Sequence, residues 1–200
     1  MINAAQIGVT AFILAGGKST RMRTDKAFVE YEGHTLLERA LALTRSVASE
    51  VRIVGDPAKF AAFAPVVEDL FRDCGPLAGI HAALRASHTE LNLMLAVDLP
   101  FVSAALLQYL IAQAQGAPDA IVIVPHSEER RQPLCAIYRR KFSDAAENSL
   151  RSGKNRIDRL FDFVPTRVIT EEELKAAGFA PGIFRNLNTP EELEAAMKKP

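Results

Sequence analysis

The feature that most constrains this chain of 200 residues is the alternation of apolar, β-rich runs with helical patterns through its first two thirds. Several runs are apolar nearly throughout, as expected for strands buried on both faces of a sheet. Because strands that alternate with helices join through right-handed crossovers, we expect a mainly parallel sheet with helices on both sides. Such an arrangement is a three-layer α/β/α fold, and we expect it to form a single domain over residues 1–200. The predicted strands are Thr10–Leu14, Val51–Val54, Val66–Glu68, Leu91–Val97 and Ala120–Val124.

Helix starts are signalled between these strands. Thr35 and Glu38 have the spacing of a capping box ahead of a helix over Leu36–Ala48. Asp56 precedes Pro57, which combines a capping residue with a proline at the first helical position. The remaining predicted elements are helices at Ala104–Ala114, Ala145–Arg151, Arg156–Phe161 and from Thr189 onward, and a strand at Leu134–Tyr138.

Charge and composition exclude several classes of protein. Lys+Arg and Asp+Glu both total 24, so no global field attracts nucleic acid or an anionic membrane. No stretch approaches the ~20 apolar residues that a membrane span needs, and we expect a cytoplasmic protein. Cys74 and Cys135 match no metal or redox spacing, and the four histidines form no ligand cluster, so no zinc site is predicted.

The segment that follows the first strand carries the strongest functional signal. It begins Leu14-Ala15-Gly16-Gly17, and two adjacent glycines let backbone N–H groups at 16 and 17 approach a phosphate. Arg21 and Lys26 downstream would neutralise that phosphate. A Walker A loop is excluded because its first glycine would stand at position 12, which is Phe12, and adjacent glycines do not fit GxGxxG. The alternative is a turn with solvated charges.

Two aspartates follow other predicted strands. Asp98 comes directly after Leu91–Val97, where its carboxylate would share a magnesium ion with substrate phosphates. The alternative for Asp98 is a turn or a cap for the next helix, and the alternative for Asp69 is an ordinary loop carboxylate. Gly75-Pro76 and Gly79 suggest a turn and a close backbone approach, for a ligand or for structure alone.

Five segments in order resemble the molybdenum cofactor guanylyltransferase family, a branch of the glycosyltransferase-A-like nucleotidyltransferases. The likeness runs from Phe12 to about Ala196. The first segment resembles the family signature LAGGxSxRMGxDK, and the others resemble D…GPLAGI, CDxPF, QPLxAxY and FxNxNTPEEL. In this chain those four are Asp69 with Gly75–Ile80, Asp98–Phe101, Gln132–Tyr138 and Phe184–Leu193.

The resemblance implies a Rossmann-like nucleotidyltransferase fold and the transfer of GMP from GTP to molybdopterin, with Mg²⁺ as cofactor and pyrophosphate released. It implies catalytic roles for Arg21, Lys26 and Asp98, with Asp98 as metal ligand. Transient contact with molybdoenzymes or other cofactor-biosynthesis proteins is expected on the same ground. The implied nucleotide-binding residues are Leu14, Ala15, Gly16, Gly17, Lys26, Gly55, Asp69, Gly79 and Asp98, and the implied acceptor-binding residues are Arg131, Asn186 and Asn188.

Departures from the family pattern leave alternatives open. Arg23 stands where the family has glycine, and Gly55 where it often has asparagine, so one base or ribose contact is expected to be missing. A cytidylyltransferase or another nucleotidyltransferase of the same fold is one alternative, and a non-catalytic nucleotide-binding relative is another. The charged stretch 128–131 is interpreted as a hairpin tip, or as a lid over the acceptor.

Overall fold

One eight-stranded mixed sheet organises the chain. A computed structural model describes residues 8–16, 25–180, 182–187 and 192. The strands are β1 (Val9–Leu14), β2 (Glu30–Tyr31), β3 (His34–Thr35), β4 (Glu50–Val54), β5 (Val66–Val67), β6 (Leu91–Ala96), β7 (Val122–Ser127), β8 (Arg130–Arg131), β9 (Cys135–Arg139) and β10 (Thr166–Ile169). The helices are α1 (Leu36–Arg45), α2 (Pro57–Phe60), α3 (Pro76–Ala86), α4 (Ala104–Gly116), α5 (Phe142–Arg151), α6 (Ile157–Leu160) and α7 (Glu171–Ala176), with a 3₁₀ helix at Lys26–Phe28.

The strand order is β10-β7-β9-β6-β1-β4-β5, with β8 paired to β7. The pairs β1–β4, β1–β6, β4–β5 and β7–β10 are parallel, whereas β9 runs antiparallel to both of its neighbours. Only residues 128–134 connect β7 to β9, too few for the crossover that a parallel pair needs. The expectation of a mainly parallel sheet is confirmed, with β9 as the antiparallel member.

Helices cover both faces of this sheet, as the three-layer prediction requires. Ala11 and Ile13 of β1 are fully buried in a core that contains residues of α1, α4 and α7. Phe12, which points to the opposite face, is fully buried in a second core with residues of α3, α5 and α6. Both faces of β1 are therefore apolar, which explains why its sequence does not alternate.

The helix starts predicted at Thr35 and Asp56 are confirmed. Thr35 Oγ1 accepts a hydrogen bond from Glu38 N at 3.2 Å, and Glu38 Oε2 accepts one from Thr35 N at 2.8 Å, which completes the capping box of α1. Asp56 Oδ1 accepts from Ala58 N at 2.9 Å at the start of α2. Each cap satisfies an amide that has no partner within its own helix.

The structure contains elements that the sequence pattern did not indicate. β10, α7 and the small β2–β3 hairpin were not predicted. β7 also extends past its predicted end at Val124. Pro125 lacks an N–H but remains part of the strand, because its carbonyl oxygen accepts from Gln132 N at 2.8 Å. The hairpin tip at 128–131 is confirmed. Residues 185–187 have no regular structure, and the helix start at Thr189 lies outside the described residues. In the part of the chain that is described, no helix has the length and apolar character to traverse a bilayer.

Candidate active site

A cleft of about 940 Å³ opens at the carboxyl ends of β1, β4 and β6. β1 connects to β4 on one side, and β6 pairs with its other side, so the chain changes direction across the sheet between β1 and β6. Open α/β sheets bind ligands at such a point. The residues that line the cleft are Leu14, Ala15, Gly16, Asp25, Lys26, Val54, Asp56, Asp69, Arg72, Asp73, Gly75, Pro76, Gly79, Ala96, Val97, Asp98 and Leu134.

The strand-end turn after β1 differs from its predicted role in one respect. Ala15 N and Gly16 N both donate to the carbonyl oxygen of Val54, at 3.0 and 3.1 Å. The Gly16 amide is therefore engaged by the end of β4, and the expectation that it is free for a phosphate is wrong for this structure. Gly16 still lines the cleft. Gly17, Arg21 and Arg23 lie outside the described residues.

Lys26 and Asp98 meet across the cleft. Lys26 Nζ donates to Asp98 Oδ2 at 2.9 Å, and the two side chains are 24% and 16% exposed. Asp25 caps the 3₁₀ helix that Lys26 begins, because its Oδ1 accepts from Ala27 N at 3.2 Å. Asp98 follows β6, and its carbonyl accepts from Leu187 N at 3.1 Å. The sequence prediction that a cation and a carboxylate from distant segments converge here agrees with this geometry.

Asp69 and Gly79 line the cleft from a different part of the chain. Asp69 lies in the loop after β5, and desolvation raises the pKa of its carboxyl. A Cβ atom at Gly79 would stand 3.3 Å from Val54 Cγ1 and 3.4 Å from Asp69 Oδ1. Glycine therefore lets α3 approach both the end of β4 and this carboxylate.

The start of α3 also faces the cleft. Gly75 caps the helix with φ +70°, a conformation that other residues adopt only with strain, and Pro76 occupies the first helical position. The first amides of a helix have no intrahelical acceptor and carry partial positive charge. This end of the cleft therefore presents donors on the backbone and an acceptor on Asp69.

Four charged cleft residues were not assigned to the site from the sequence: Asp25, Asp56, Arg72 and Asp73. Asp56 was assigned only a capping role, and Asp25 belongs to the signature segment without a role of its own. A signal existed in the chain, because Arg72 and Asp73 stand between Asp69 and Gly79, both of which the family resemblance implies as nucleotide-binding residues. Loop residues between two ligand-contacting positions commonly lie at the same site.

Gly55 is required by packing rather than by the cleft. A Cβ atom there would lie 2.8 Å from Cε2 and 2.9 Å from Cδ2 of the Phe60 ring. Phe60 is almost fully buried and stacks on Phe28 with ring centroids 5.8 Å apart. Gly55 is not among the residues that line the cleft, although Val54 and Asp56 on either side are. The aromatic ring thus explains why a larger residue is absent at position 55.

The two implied acceptor residues that the structure describes, Arg131 and Asn186, do not line the cleft. Arg131 donates to Asp162 Oδ1 and to the Asp158 carbonyl, both at 2.9 Å, and it does not line the cleft. Asn186 is half-buried beside Leu187, whose amide contacts Asp98, so it flanks the site without lining it. Asn188 lies outside the described residues.

The donor set fits magnesium only in combination with a substrate. Among the described residues, no three His, Cys, Asp or Glu side chains are grouped so as to hold a metal ion. Magnesium commonly uses one or two carboxylates and completes its octahedron with phosphate oxygens and waters. Asp98, with a partly accessible carboxylate at the cleft, meets that requirement.

Comparison with known proteins gives consistent matches. Residues 11–170 match the model of the MobA-like NTP transferase domain. The chain is 35% identical over 189 residues to a probable molybdenum cofactor guanylyltransferase of Pelotomaculum thermopropionicum, covering 94% of this chain and 91% of the relative. It is 35% identical over 191 residues to the molybdenum cofactor guanylyltransferase of Desulfosudis oleivorans, covering 94% of each.

Solved structures agree on the fold. Molybdopterin-guanine dinucleotide biosynthesis protein A from Archaeoglobus fulgidus superposes with a TM-score of 0.80 at 26% identity, covering 94% of this chain and 96% of that one. The 2-C-methyl-D-erythritol 4-phosphate cytidylyltransferase of Thermus thermophilus superposes with a TM-score of 0.67 at 22% identity, covering 94% and 97%. The second likeness shows a shared fold alone.

Proposed function

The chain belongs to the MobA-like NTP transferase family, and we propose that it transfers GMP from GTP to molybdopterin, forming the molybdopterin guanine dinucleotide. The observation that carries the proposal is the contact between Lys26 and Asp98 at the carboxyl ends of the central strands. A cation beside a carboxylate at this point of an α/β sheet suits a metal-bound polyphosphate.

The proposed reaction needs little proton chemistry from the protein. An anionic phosphate oxygen of molybdopterin forms a bond to the α-phosphorus of GTP while the bond from that phosphorus to the β-phosphate oxygen breaks, and pyrophosphate leaves. The attacking oxygen is already ionised, so no general base is required. The described cleft-lining residues accordingly include no histidine, cysteine or serine. Catalysis then rests on positioning and on charge stabilisation.

Lys26 and Asp98 divide that work. In the absence of substrate each neutralises the other at 2.9 Å. When a triphosphate enters, the Lys26 ammonium turns to a phosphate oxygen, and Asp98 becomes available as the carboxylate ligand of Mg²⁺. Mg²⁺ held by Asp98 would supply neutralisation of the charge on the phosphates. Arg21, by family resemblance, adds a second cation to the same phosphates.

Asp69 supports guanine as the base. The guanine edge carries adjacent N1–H and N2–H donors, which two oxygens of one ionised carboxylate accept together, whereas adenine and cytosine place an acceptor beside a donor on that edge. Gly79 lies against this carboxylate, since a Cβ atom there would stand 3.4 Å from Asp69 Oδ1. We therefore assign Asp69 to guanine recognition, and Leu14, Ala15, Gly16 and Val54 to the surrounding strand-end surface.

Pyrophosphate release tests the proposed function. Purified protein with molybdopterin, Mg²⁺ and GTP should release pyrophosphate, and release should fall strongly when CTP or ATP replaces GTP or when a chelator removes the metal. Preferred use of CTP would replace the guanylyltransferase assignment with a cytidylyltransferase. Tight GTP binding without release would indicate a non-catalytic relative.

A titration of metal alone examines the magnesium assignment. Because Asp98 offers a single carboxylate, Mg²⁺ should bind measurably only when GTP is present. Strong binding of Mg²⁺ to the nucleotide-free protein would contradict this arrangement.

We place the reaction in the cytoplasm, where nucleoside triphosphates are made, with the product handed to molybdoenzymes by transient contact.

A further inference from the structure

A second lysine is attached to the same end of the cleft as Lys26. Lys59 lies on α2, the single-turn helix after β4, and its Nζ donates to Asp25 Oδ2 at 2.7 Å. Half of the Lys59 side chain is exposed, whereas Asp25 is 23% exposed. The contact joins the β4–α2 connection to the residue that immediately precedes Lys26.

The two carboxylate oxygens of Asp25 have separate partners. Oδ1 accepts from Ala27 N at 3.2 Å and so caps the 3₁₀ helix that begins at Lys26. Oδ2 accepts from Lys59, and Lys26 Nζ in turn donates to Asp98. These contacts form one path, from α2 through Asp25 and Lys26 to the carboxyl end of β6.

Apolar packing holds the same segment independently of these charges. The Phe28 ring at the end of the 3₁₀ helix stacks on Phe60 at 5.8 Å and lies 6.0 Å from the ring of Phe63. Phe60 is the residue next to Lys59, so α2 stays against the 3₁₀ helix when the lysine charge is removed. A charge effect at Lys59 can therefore be measured without unfolding the segment.

The electrostatic need for Lys59 comes from the composition of the cleft. Asp25 lines it together with Asp56, Asp69 and Asp73, so several carboxylates surround the volume where a triphosphate would bind. Lys59 neutralises Asp25. The hydrogen bond to Asp25 is the main cause of the raised pKa of Lys59, and the charge of Asp56 raises that pKa further. Without Lys59, the negative charge of Asp25 would act on the incoming phosphates.

We propose that Lys59 is a positioning residue for the nucleotide: it neutralises Asp25 and steadies the turn that presents Lys26. The inference rests on the proposed function, because it assumes a polyphosphate at Lys26. It adds a residue that lies outside the family signature and more than thirty positions from Asp25 along the chain.

The first test replaces Lys59 with methionine, which keeps the length of the side chain and removes its charge. Lys59→Met should raise the KM for magnesium-bound GTP about fivefold, the scale of one uncompensated charge in partly screened surroundings, with kcat within about twofold. Lys59→Arg should keep the parent KM. The control is Lys175→Met, since Lys175 is 55% exposed and pairs with Glu171 at 2.8 Å away from the cleft.

A double variant separates neutralisation from structure. Asparagine at position 25 still accepts from Ala27 N but carries no charge. The double variant Asp25→Asn/Lys59→Met should therefore recover the parent KM, although it lacks the ion pair just as Lys59→Met does. A KM for Lys59→Met equal to that of Lys175→Met, or a double variant that stays weak, would overturn the proposal. Failure of the parent protein to bind GTP would instead defeat the proposed function.

Discussion

Two walls of the cleft differ in how their charges are balanced. The ion-paired wall, formed by Asp25, Lys26 and Asp98, holds each carboxylate against a lysine at 2.7 to 2.9 Å. The glycine wall, formed by Asp69, Gly75 and Gly79, has a partly desolvated carboxylate with a raised pKa and two positions without side chains. Under the proposed function, the first wall would exchange its ion pair for contacts with a polyphosphate, and the second would contact a flat, neutral base closely.

This difference predicts separable losses of function. Changes to Lys26 and Asp98 in the ion-paired wall should act mainly on turnover and on metal dependence, because the transition state concentrates charge there. Changes in the glycine wall should act mainly on affinity and on the choice of base, because a base makes the same contacts in the ground state and in the transition state.

Asp98→Asn should give the largest effect. Loss of the carboxylate removes the metal ligand, and turnover should fall by about two to three orders of magnitude, the scale of losing one preorganised electrostatic stabiliser. The dependence of GTP affinity on Mg²⁺ should disappear in isothermal titrations. Asp144→Asn is the control, since Asp144 is 73% exposed in a surface ion pair. Near-parent turnover in Asp98→Asn would remove that residue from the mechanism.

Lys26→Ala should be similarly severe on turnover and should also raise the KM for GTP, because the cation contacts phosphate before and during the reaction. The melting temperature should hardly change, since partly exposed ion pairs contribute little to stability. Steady-state kinetics with a thermal melt measure both effects. A Lys26→Ala protein that loses stability but keeps turnover would show a structural role only.

Asp69→Asn should lower GTP affinity about tenfold to hundredfold, the scale of a hydrogen bond to a charged group, with little change in kcat. The stability effect has the opposite sign. Because the folded-state pKa of Asp69 is raised, its contribution to stability is complete below the unfolded pKa of ~3.9 and is lost as pH rises through the folded pKa. At neutral pH the variant should therefore melt no lower than the parent.

Melting curves across pH check this sign. The Asp69→Asn variant should lose its relative advantage as the pH falls below the raised folded-state pKa, because the parent carboxyl is then protonated and neutral. A variant that melts well below the parent at neutral pH would mean that the ionised carboxylate stabilises the fold, contrary to its desolvated position.

Gly79→Ala should give the smallest effect. A Cβ atom would meet Val54 Cγ1 at 3.3 Å and Asp69 Oδ1 at 3.4 Å, while alanine favours the helix by about 1 kcal/mol. Stability should stay near that of the parent, and GTP affinity should fall about fivefold, equivalent to ~1 kcal/mol. Gly116→Ala at the end of α4, where nothing lies within 4 Å, is the matched control. Equal affinity in both variants would contradict close approach at Gly79.

The sequence predicted the ion-paired wall better than its supports. Asp98 was predictable because a carboxylate after a buried strand emerges at the sheet edge, and Lys26 because it ends the signature segment. The role of Lys59 was not predictable, since its partner Asp25 lies 34 positions away along the chain and only the fold brings α2 to it. The Gly16 amide was misjudged for a similar reason, because its acceptor is the carbonyl of Val54 on a neighbouring strand.

The fold shows the same division between local and long-range information. Buried strands such as β1 and β6 were found because they are apolar throughout. β10 was missed because Thr166–Ile169 is short and contains Arg167, whose guanidinium bonds to Glu173 of α7, itself an element not predicted. Short edge strands with polar side chains carry little periodic signal, and their pairing with β7 defines them.

The most direct test of the two-wall account is a crystal structure with Mg²⁺ and a non-hydrolysable GTP analogue. We expect the triphosphate within hydrogen-bonding distance of Lys26 Nζ, the metal on the Asp98 carboxylate, and the guanine edge against Asp69 beside Gly79. A guanine base seated between Lys26 and Asp98, with the phosphates at Asp69, would contradict the account.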